Sequence, residues 1–195
     1  MKVIGITGPS GAGKTTLSTI LKSNYSSFII DADEVARKLS NDSKTKYFEK
    51  MVNLFGKEIA RTIYKNKEKR RALNRLTFKY VVDDINEQIK EAEKQDYKYI
   101  GIDVPLLYEA KMEKICDYVI AVVAEDQKKI NRICQRDNIT EELAKERLKI
   151  QNDNEFFVKK ADFVIHNDGT LEKLETSLKE IIDKIWKKWY QEYFH

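Results

Sequence analysis

Eight residues near the start of the chain, Gly8-Pro9-Ser10-Gly11-Ala12-Gly13-Lys14-Thr15, constrain the fold more than any other segment. Their spacing is Gly, four free positions, Gly, Lys, then Ser or Thr. Before them, Lys2-Val3-Ile4-Gly5-Ile6-Thr7 reads as a short buried strand. After them, Thr16-Leu17-Ser18-Thr19-Ile20-Leu21 reads as the opening turns of a helix. A strand, a glycine-rich turn and a helix in that order gather backbone N–H groups and the positive end of a helix around one point, which suits a phosphate. From there Lys14 can reach terminal phosphates, and the Thr15 hydroxyl can hold Mg²⁺. The segment therefore reads as a P-loop for a nucleoside triphosphate with magnesium. Gly8, Ser10, Gly11, Ala12, Gly13, Lys14, Thr15 and Thr16 are its candidate contacts.

The rest of the chain alternates between two patterns. Short runs rich in β-branched or aromatic residues lie at 2–7, 28–30, 99–102, 118–124 and 163–165, as in a sheet covered on both faces. Charged, helically periodic segments lie at 14–23, 34–39, 44–55, 67–95, 126–136, 140–150 and 171–190. Strands separated by helices predict an α/β fold with a five-stranded parallel sheet. About 65 residues separate the second and third strands, far beyond an ordinary crossover, and their pattern is helical. That stretch reads as a helical insertion, and a smaller excursion dense in Arg and Lys spans 126–160. The apolar stripe Leu171, Leu174, Leu178, Ile181, Ile182, Ile185 and Trp189 predicts a helix packed on the sheet. Tyr190, Tyr193 and Phe194 beyond it suit either an interface or a fraying end.

Length and charge narrow the class. A chain of 195 residues can form one domain and bury about 70% of the surface its unfolded form exposes. A net charge of +4 suits anionic small molecules and gives no argument for nucleic acid. Cys116 and Cys134 have no paired spacing and read as reduced thiols of a cytoplasmic protein. His166 and His195 are too few for a metal cage. No run is long and apolar enough for a membrane span, and the strand at 2–7 leaves no room for a signal peptide.

Several side chains carry possible chemistry. Asp31-Ala32-Asp33 follows the second strand, which puts both carboxylates at the ligand-binding edge of a parallel sheet. Asp33 there can accept a proton from an attacking hydroxyl or order magnesium, and it can equally cap the helix that starts at Glu34. Asp103 ends the third strand, as in a Walker B element that holds Mg²⁺, or as a capping acid. Arg132 and Arg136 are four apart and share a helix face. With Lys128, Lys129 and Asp137 they form either a solvated, partly paired face or a lid that closes on a triphosphate. Asn167, in His166-Asn167-Asp168-Gly169, reads as part of a turn.

These elements in order resemble one family, the dephospho-coenzyme A kinases. The resemblance runs through Gly5-Ile6-Thr7-Gly8 to Thr15, Asp31-Ala32-Asp33 with Arg37, and Leu54-Phe55-Gly56. It continues through Val104-Pro105-Leu106-Leu107-Tyr108-Glu109, Arg132-x-x-x-Arg136-Asp137, Gln151, Ala161-Asp162 and Val164-Ile165-x-Asn167-x-Gly169. It implies a three-layer α/β/α P-loop kinase with sheet order 2-3-1-4-5. It implies a nucleotide-binding core at 1–33, 97–125 and 161–195, an acceptor-binding domain at 34–96 and a lid at 126–160. The implied reaction transfers the ATP γ-phosphate to the 3′-hydroxyl of dephospho-CoA in a cytoplasmic monomer or weak oligomer. By position Asp33 would be the base, with Lys14 and the lid's Arg136 as its catalytic partners. Arg132 and Asn167 would lie on the nucleotide, Asn167 near the adenine. Asp33, Arg37, Pro105, Leu106 and Leu107 would meet the acceptor, and Thr15 and Asp103 the metal.

One region departs from the family pattern. The Asp-Arg pair usual after Leu-Phe-Gly is missing from Ile63-Tyr64-Lys65-Asn66-Lys67-Glu68, and Thr77-Phe78 stands where a His-Pro pair falls. Arg37, Arg71 and Arg75 are then candidates for holding acceptor phosphates. The departure keeps open a kinase for another nucleoside, nucleotide or small-molecule hydroxyl. A GTPase switch would need Asn-Lys-x-Asp, and Asn66-Lys67-Glu68-Lys69 lacks the Asp. An inactive scaffold is disfavoured by Lys14, Thr15, Asp33 and Arg136 together.

Overall fold

A computed structural model describes residues 1–56 and 67–194. Strands β1 (Lys2–Thr7), β2 (Ser27–Asp31), β3 (Tyr99–Asp103), β4 (Tyr118–Val123) and β5 (Phe163–His166) form one sheet in the order β2-β3-β1-β4-β5. All four pairings are parallel. The helices are α1 (Lys14–Asn24), α2 (Ala32–Asn41), α3 (Lys46–Phe55), α4 (Lys67–Glu93), α5 (Asp126–Asp137), α6 (Glu141–Lys149), α7 (Asn154–Lys160) and α8 (Leu171–Phe194).

Alternation along β1 divides the core. Ile4 and Ile6 pack with Leu17 and Leu21 of α1 and with Leu178 and Ile182 of α8. Val3 packs with Ile30, Ile100 and Ile102 and with Val81, Ile85 and Ile89 of α4. Each such isoleucine, taken fully out of water, contributes roughly 1.5–3 kcal/mol. The second half of α4 thus covers the sheet, so the expected helical insertion does not stand apart along its whole length. Its first half meets α3, where the Tyr47 hydroxyl and Thr77 Oγ1 lie 2.9 Å apart. The segment after Gly56 that lacks the Asp-Arg pair, including Asn66, lies outside the described residues, as do the side chains of Tyr193 and Phe194.

Two elements escaped the periodicity. Met112–Ile115 is a turn of 3₁₀ helix, and α7 brings Phe157 onto Ala121 and Val123 of β4. Helix α7 therefore packs on the sheet although it falls inside the predicted lid.

Register aligns the ends that matter. Asp31 of β2 pairs with Asp103 of β3, and Asp103 pairs with Ile6 of β1. The three carboxyl ends are level, and the glycine-rich loop springs from the same edge. Gly8 begins that loop at φ 139°, and a Cβ there would lie 2.0 Å from the Val122 carbonyl oxygen. The loop can hug β4 only because residue 8 has no side chain. Gly8→Ala is expected to destabilise the fold by about 2 kcal/mol or more. Thermal melting reads this directly, and a variant as stable as wild type would contradict the close approach.

Candidate active site

The loop is held by its carbonyls. Arg132 of α5 donates to the carbonyl oxygens of Gly11 (3.2 Å), Ala12 (3.4 Å) and Asn167 (2.9 Å). Asn167 is buried, and its Nδ2 donates to the Ala12 carbonyl at 2.8 Å. Gly13, at φ 107°, leaves room for that amide, since a Cβ there would lie 2.2 Å from Nδ2. Asn167 continues the β5 ladder through its N–H to the Val123 carbonyl. Its sequence suggests a turn residue, and the structure makes it a buried brace.

Helix α1 starts with no side-chain cap on Gly13 and no acidic residue in its first turn. Its N–H groups and partial positive charge are thus left for an external anion. Lys14 Nζ lies over the loop, donating to Gly8 O (2.8 Å) and Pro9 O (3.1 Å). Burial pulls its ammonium below the usual lysine range, opposed by Asp103 and Asp33 and reinforced by Arg136.

A cleft of about 490 Å³ opens above the loop, lined by Ser10, Lys14, Thr15, Asp31, Asp33, Asp103, Arg136 and Gln151. Pro105 and Leu106 supply part of its wall, and Leu106 is 43% exposed. Thr16 is exposed at the start of α1. The cap of α2 is Asp31, which accepts the Glu34 N–H at 3.0 Å. The expectation that Asp33 caps this helix is corrected: Asp33 sits inside the first turn, and its carboxylate is left to face the cleft. Desolvation at the cleft wall raises its pKa, Asp31 raises it further, and Lys14 opposes both.

Asp103 is buried and accepts a hydrogen bond from Ser18 Oγ at 3.1 Å. Burial pushes its pKa up to about 6, against the pull of Lys14 and Ser18. An acid raised in this way is penalised in the folded state when ionised. The penalty is absent below the ordinary aspartate range, grows as pH rises, and is complete above about 6. Asp103→Asn, melted without metal or nucleotide, is therefore expected to gain stability over wild type at pH 8 and to gain little at pH 4. Equal gains at both values would contradict the shift.

Three residues fall elsewhere. Leu107 is fully buried among Val3, Met112 and Val119, and the space over Gly5 is filled by its side chain. Its expected contact with an acceptor is corrected: it anchors the loop after β3 and does not line the cleft. Arg37 is exposed and lines a separate depression formed by α2, the turn that follows it and α4, with Lys38, Thr45 and Asp84. Lys129, read with the solvated face of α5, is 3% exposed. It donates to Asp126 at 2.8 Å and to Asn154 at 3.0 Å, while Asn154 Nδ2 donates to the Ala124 carbonyl. This network around the buried Lys129 joins the start of α5 to the start of α7. Its signal was in the sequence, since Lys129 is four residues before Ile133 and shares its helix face.

Arg136 chelates Asp137, Nε to Oδ1 at 2.7 Å and Nη2 to Oδ2 at 3.0 Å, and Nη2 lies 3.4 Å from Ser10 Oγ. Arg147 also pairs with Asp137, and the two guanidiniums hold that carboxyl down at about 2. Gln151, which carried no role in the sequence reading, accepts the Ser10 backbone N–H on Oε1 at 2.9 Å.

A parallel sheet in this order, with its anion cradle after the first strand, defines the class: the chain is a P-loop kinase. Comparison with known proteins narrows it. The family model for dephospho-CoA kinase matches residues 2–173. A dephospho-CoA kinase of Bacillus cereus is 34% identical, with 96% of each chain covered. The structure of a dephospho-CoA kinase from Campylobacter jejuni superposes with a TM-score of 0.67 at 27% identity, covering 95% of this chain and 98% of that one. A Thermus thermophilus structure gives 0.77 at 25% identity, covering 94% and 97%. The chain belongs to the dephospho-CoA kinase family.

Proposed function

We propose that this enzyme transfers the γ-phosphoryl group of ATP to the 3′-hydroxyl of dephospho-CoA, giving coenzyme A and ADP. The observation that carries the reading is the convergence of Lys14, Asp33, Asp103 and Arg136 on one cleft above an uncapped helix N-terminus. The donors that face the cleft are hard oxygens, Thr15 Oγ1 and the carboxylates of Asp31, Asp33 and Asp103. Among the described residues no group of three His, Cys, Asp or Glu side chains forms a metal cage by itself. That donor set fits Mg²⁺, which is held by one or two protein oxygens together with substrate phosphates. Thr15 and Asp103 would hold it, and bound there it would neutralise charge on the β- and γ-phosphates.

Lys14 exchanges the Gly8 and Pro9 carbonyls for phosphate oxygens. Arg132 and Asn167 keep the Gly11 and Ala12 carbonyls turned outward, so that loop N–H groups face the triphosphate. We read both as acting on the nucleotide chiefly through this bracing of the loop. Asp33 accepts the proton of the acceptor hydroxyl as it attacks in line. Arg136 meets the charge that spreads over the moving phosphoryl group. Pro105 and Leu106 flank the acceptor, and Arg37, in the separate depression beside α2, is a candidate for its phosphates.

We assign 1–33, 97–125 and 161–195 to the nucleotide-binding core, 34–96 to acceptor binding and 126–160 to the lid. The second half of α4 and helix α7 serve the core as well. Among the described residues no helix is long and apolar enough to cross a membrane. Cys116 and Cys134 are free thiols, in keeping with a cytoplasmic setting. Magnesium-dependent ADP release on adding dephospho-CoA, with CoA identified by mass, tests the proposal.

A further inference from the structure

Gln151 has no part in the mechanism above, yet its bond to Ser10 joins the lid to the phosphate cradle. Ser10 lies in the part of the loop before α1, its Oγ 3.4 Å from Arg136 Nη2, and it lines the cleft together with Arg136, Asp33 and Gln151. The inner phosphates of a nucleotide belong at the start of α1, and Lys14 reaches from there toward the terminal one. The transferable group belongs between them and the acceptor, which is the side Ser10 faces. The Ser10 N–H is one of the donors such a group needs, and it is given to Gln151 Oε1 at 2.9 Å. One N–H cannot serve a side-chain carbonyl and a phosphoryl oxygen at full strength together. The neighbouring residue clasps the same mouth of the cleft, Asn152 Nδ2 donating to Glu109 Oε1 at 2.7 Å. The segment after α6 is thus fastened at two adjacent residues, one to Ser10 of the loop and one to Glu109 in the stretch after β3.

We propose that Gln151 is a specificity residue for the terminal phosphoryl group, because its carbonyl oxygen and that group compete for the Ser10 N–H. The inference rests on the nucleotide reading of the cradle given above. A triphosphate displaces Gln151 and frees this part of the lid, with Arg136 beside it, to settle on the phosphates. A diphosphate puts no oxygen at Ser10, so it binds with Gln151 still in place. When the phosphoryl group has moved to the acceptor, Gln151 takes the N–H back, which favours release of the product diphosphate.

The test is the ratio Kd(ATP)/Kd(ADP), measured by calorimetry with Mg²⁺ and without acceptor. Gln151→Ala removes the competitor, and the hydrogen bond it made is of ordinary strength. ATP is expected to bind about three- to tenfold tighter and ADP unchanged, so the ratio falls. Gln151→Glu keeps an acceptor oxygen on Ser10 and adds a negative charge beside the phosphoryl site. ATP is expected to bind about tenfold weaker, with a smaller loss for ADP, so the ratio rises. An unchanged ratio in both folded variants, or a parallel loss of both nucleotides, overturns the role of Gln151. If wild type binds neither nucleotide, the cradle reading itself fails, and that outcome is separate from the first. Should the alanine variant not fold, the glutamate variant decides alone.

Discussion

Asp33→Asn is expected to lower kcat by about 10²–10⁴, the range that a positioned general base supplies, while ATP affinity stays close to that of wild type. Asparagine matches the shape of aspartate and keeps a polar group at the cleft wall, but it cannot take the acceptor's proton. The fold should tolerate the change because the cap of α2 is made by Asp31. The catalytic form is the carboxylate, so activity falls as pH drops through the Asp33 pKa. Desolvation and Asp31 raise that pKa above the ordinary aspartate range. The acid limb of kcat/KM is therefore expected above that range. Asp31→Asn preserves the cap, since Asn also caps well, and should move the limb to lower pH. An Asp33→Asn variant with near-normal turnover, or an acid limb that Asp31→Asn leaves in place, would remove Asp33 as the base.

Arg136→Ala is expected to cost about 10³ or more in single-turnover rate, as an arginine that meets a transferring phosphoryl group can supply 10³–10⁵. Its pair with Asp137 is held near the surface, the Arg136 side chain being 60% exposed. Such pairs are weak in water, so the guanidinium can leave for a phosphoryl oxygen at small cost. The bidentate pair also sets the plane of the guanidinium beside Ser10. Arg136→Lys is expected to recover little, because an ammonium cannot reproduce a planar two-pronged donor. Rapid-quench measurement at saturating ATP and acceptor separates this loss from a binding defect. Full rescue by lysine would reduce Arg136 to a point charge.

The framework of the fold was legible in local chemistry. Glycines at 8, 11 and 13 before Lys14 have one ready meaning between an apolar strand and a helix, and short runs such as Tyr118–Val123 carry the mark of strands buried on both faces. What escaped depended on contacts distant in sequence. Asp31 and Asp33 are equally good caps on paper, and only the actual start of α2 decides between them. Leu107 belongs to a motif associated with the acceptor, but its side chain is consumed by the gap over Gly5. Helix α7 is seven residues long, too short for periodicity to reveal, and is held by Phe157 against β4. Asn167 looked like a turn residue because its partner, the Ala12 carbonyl, lies 155 positions away in sequence. Gln151 was visible as a matching letter. Its bond to Ser10 required the two ends of the cleft to be brought together.

The central claim is the acceptor, because the family's Asp-Arg and His-Pro pairs are missing from the region expected to hold it. At the position of the latter, the Thr77 hydroxyl is engaged with Tyr47 and the Leu73 carbonyl instead of with the cleft. The most direct measurement is magnesium-dependent ADP release from ATP, comparing dephospho-CoA with AMP, CMP and adenosine. Turnover confined to dephospho-CoA is the predicted result. Turnover with one of the others, and none with dephospho-CoA, would contradict it.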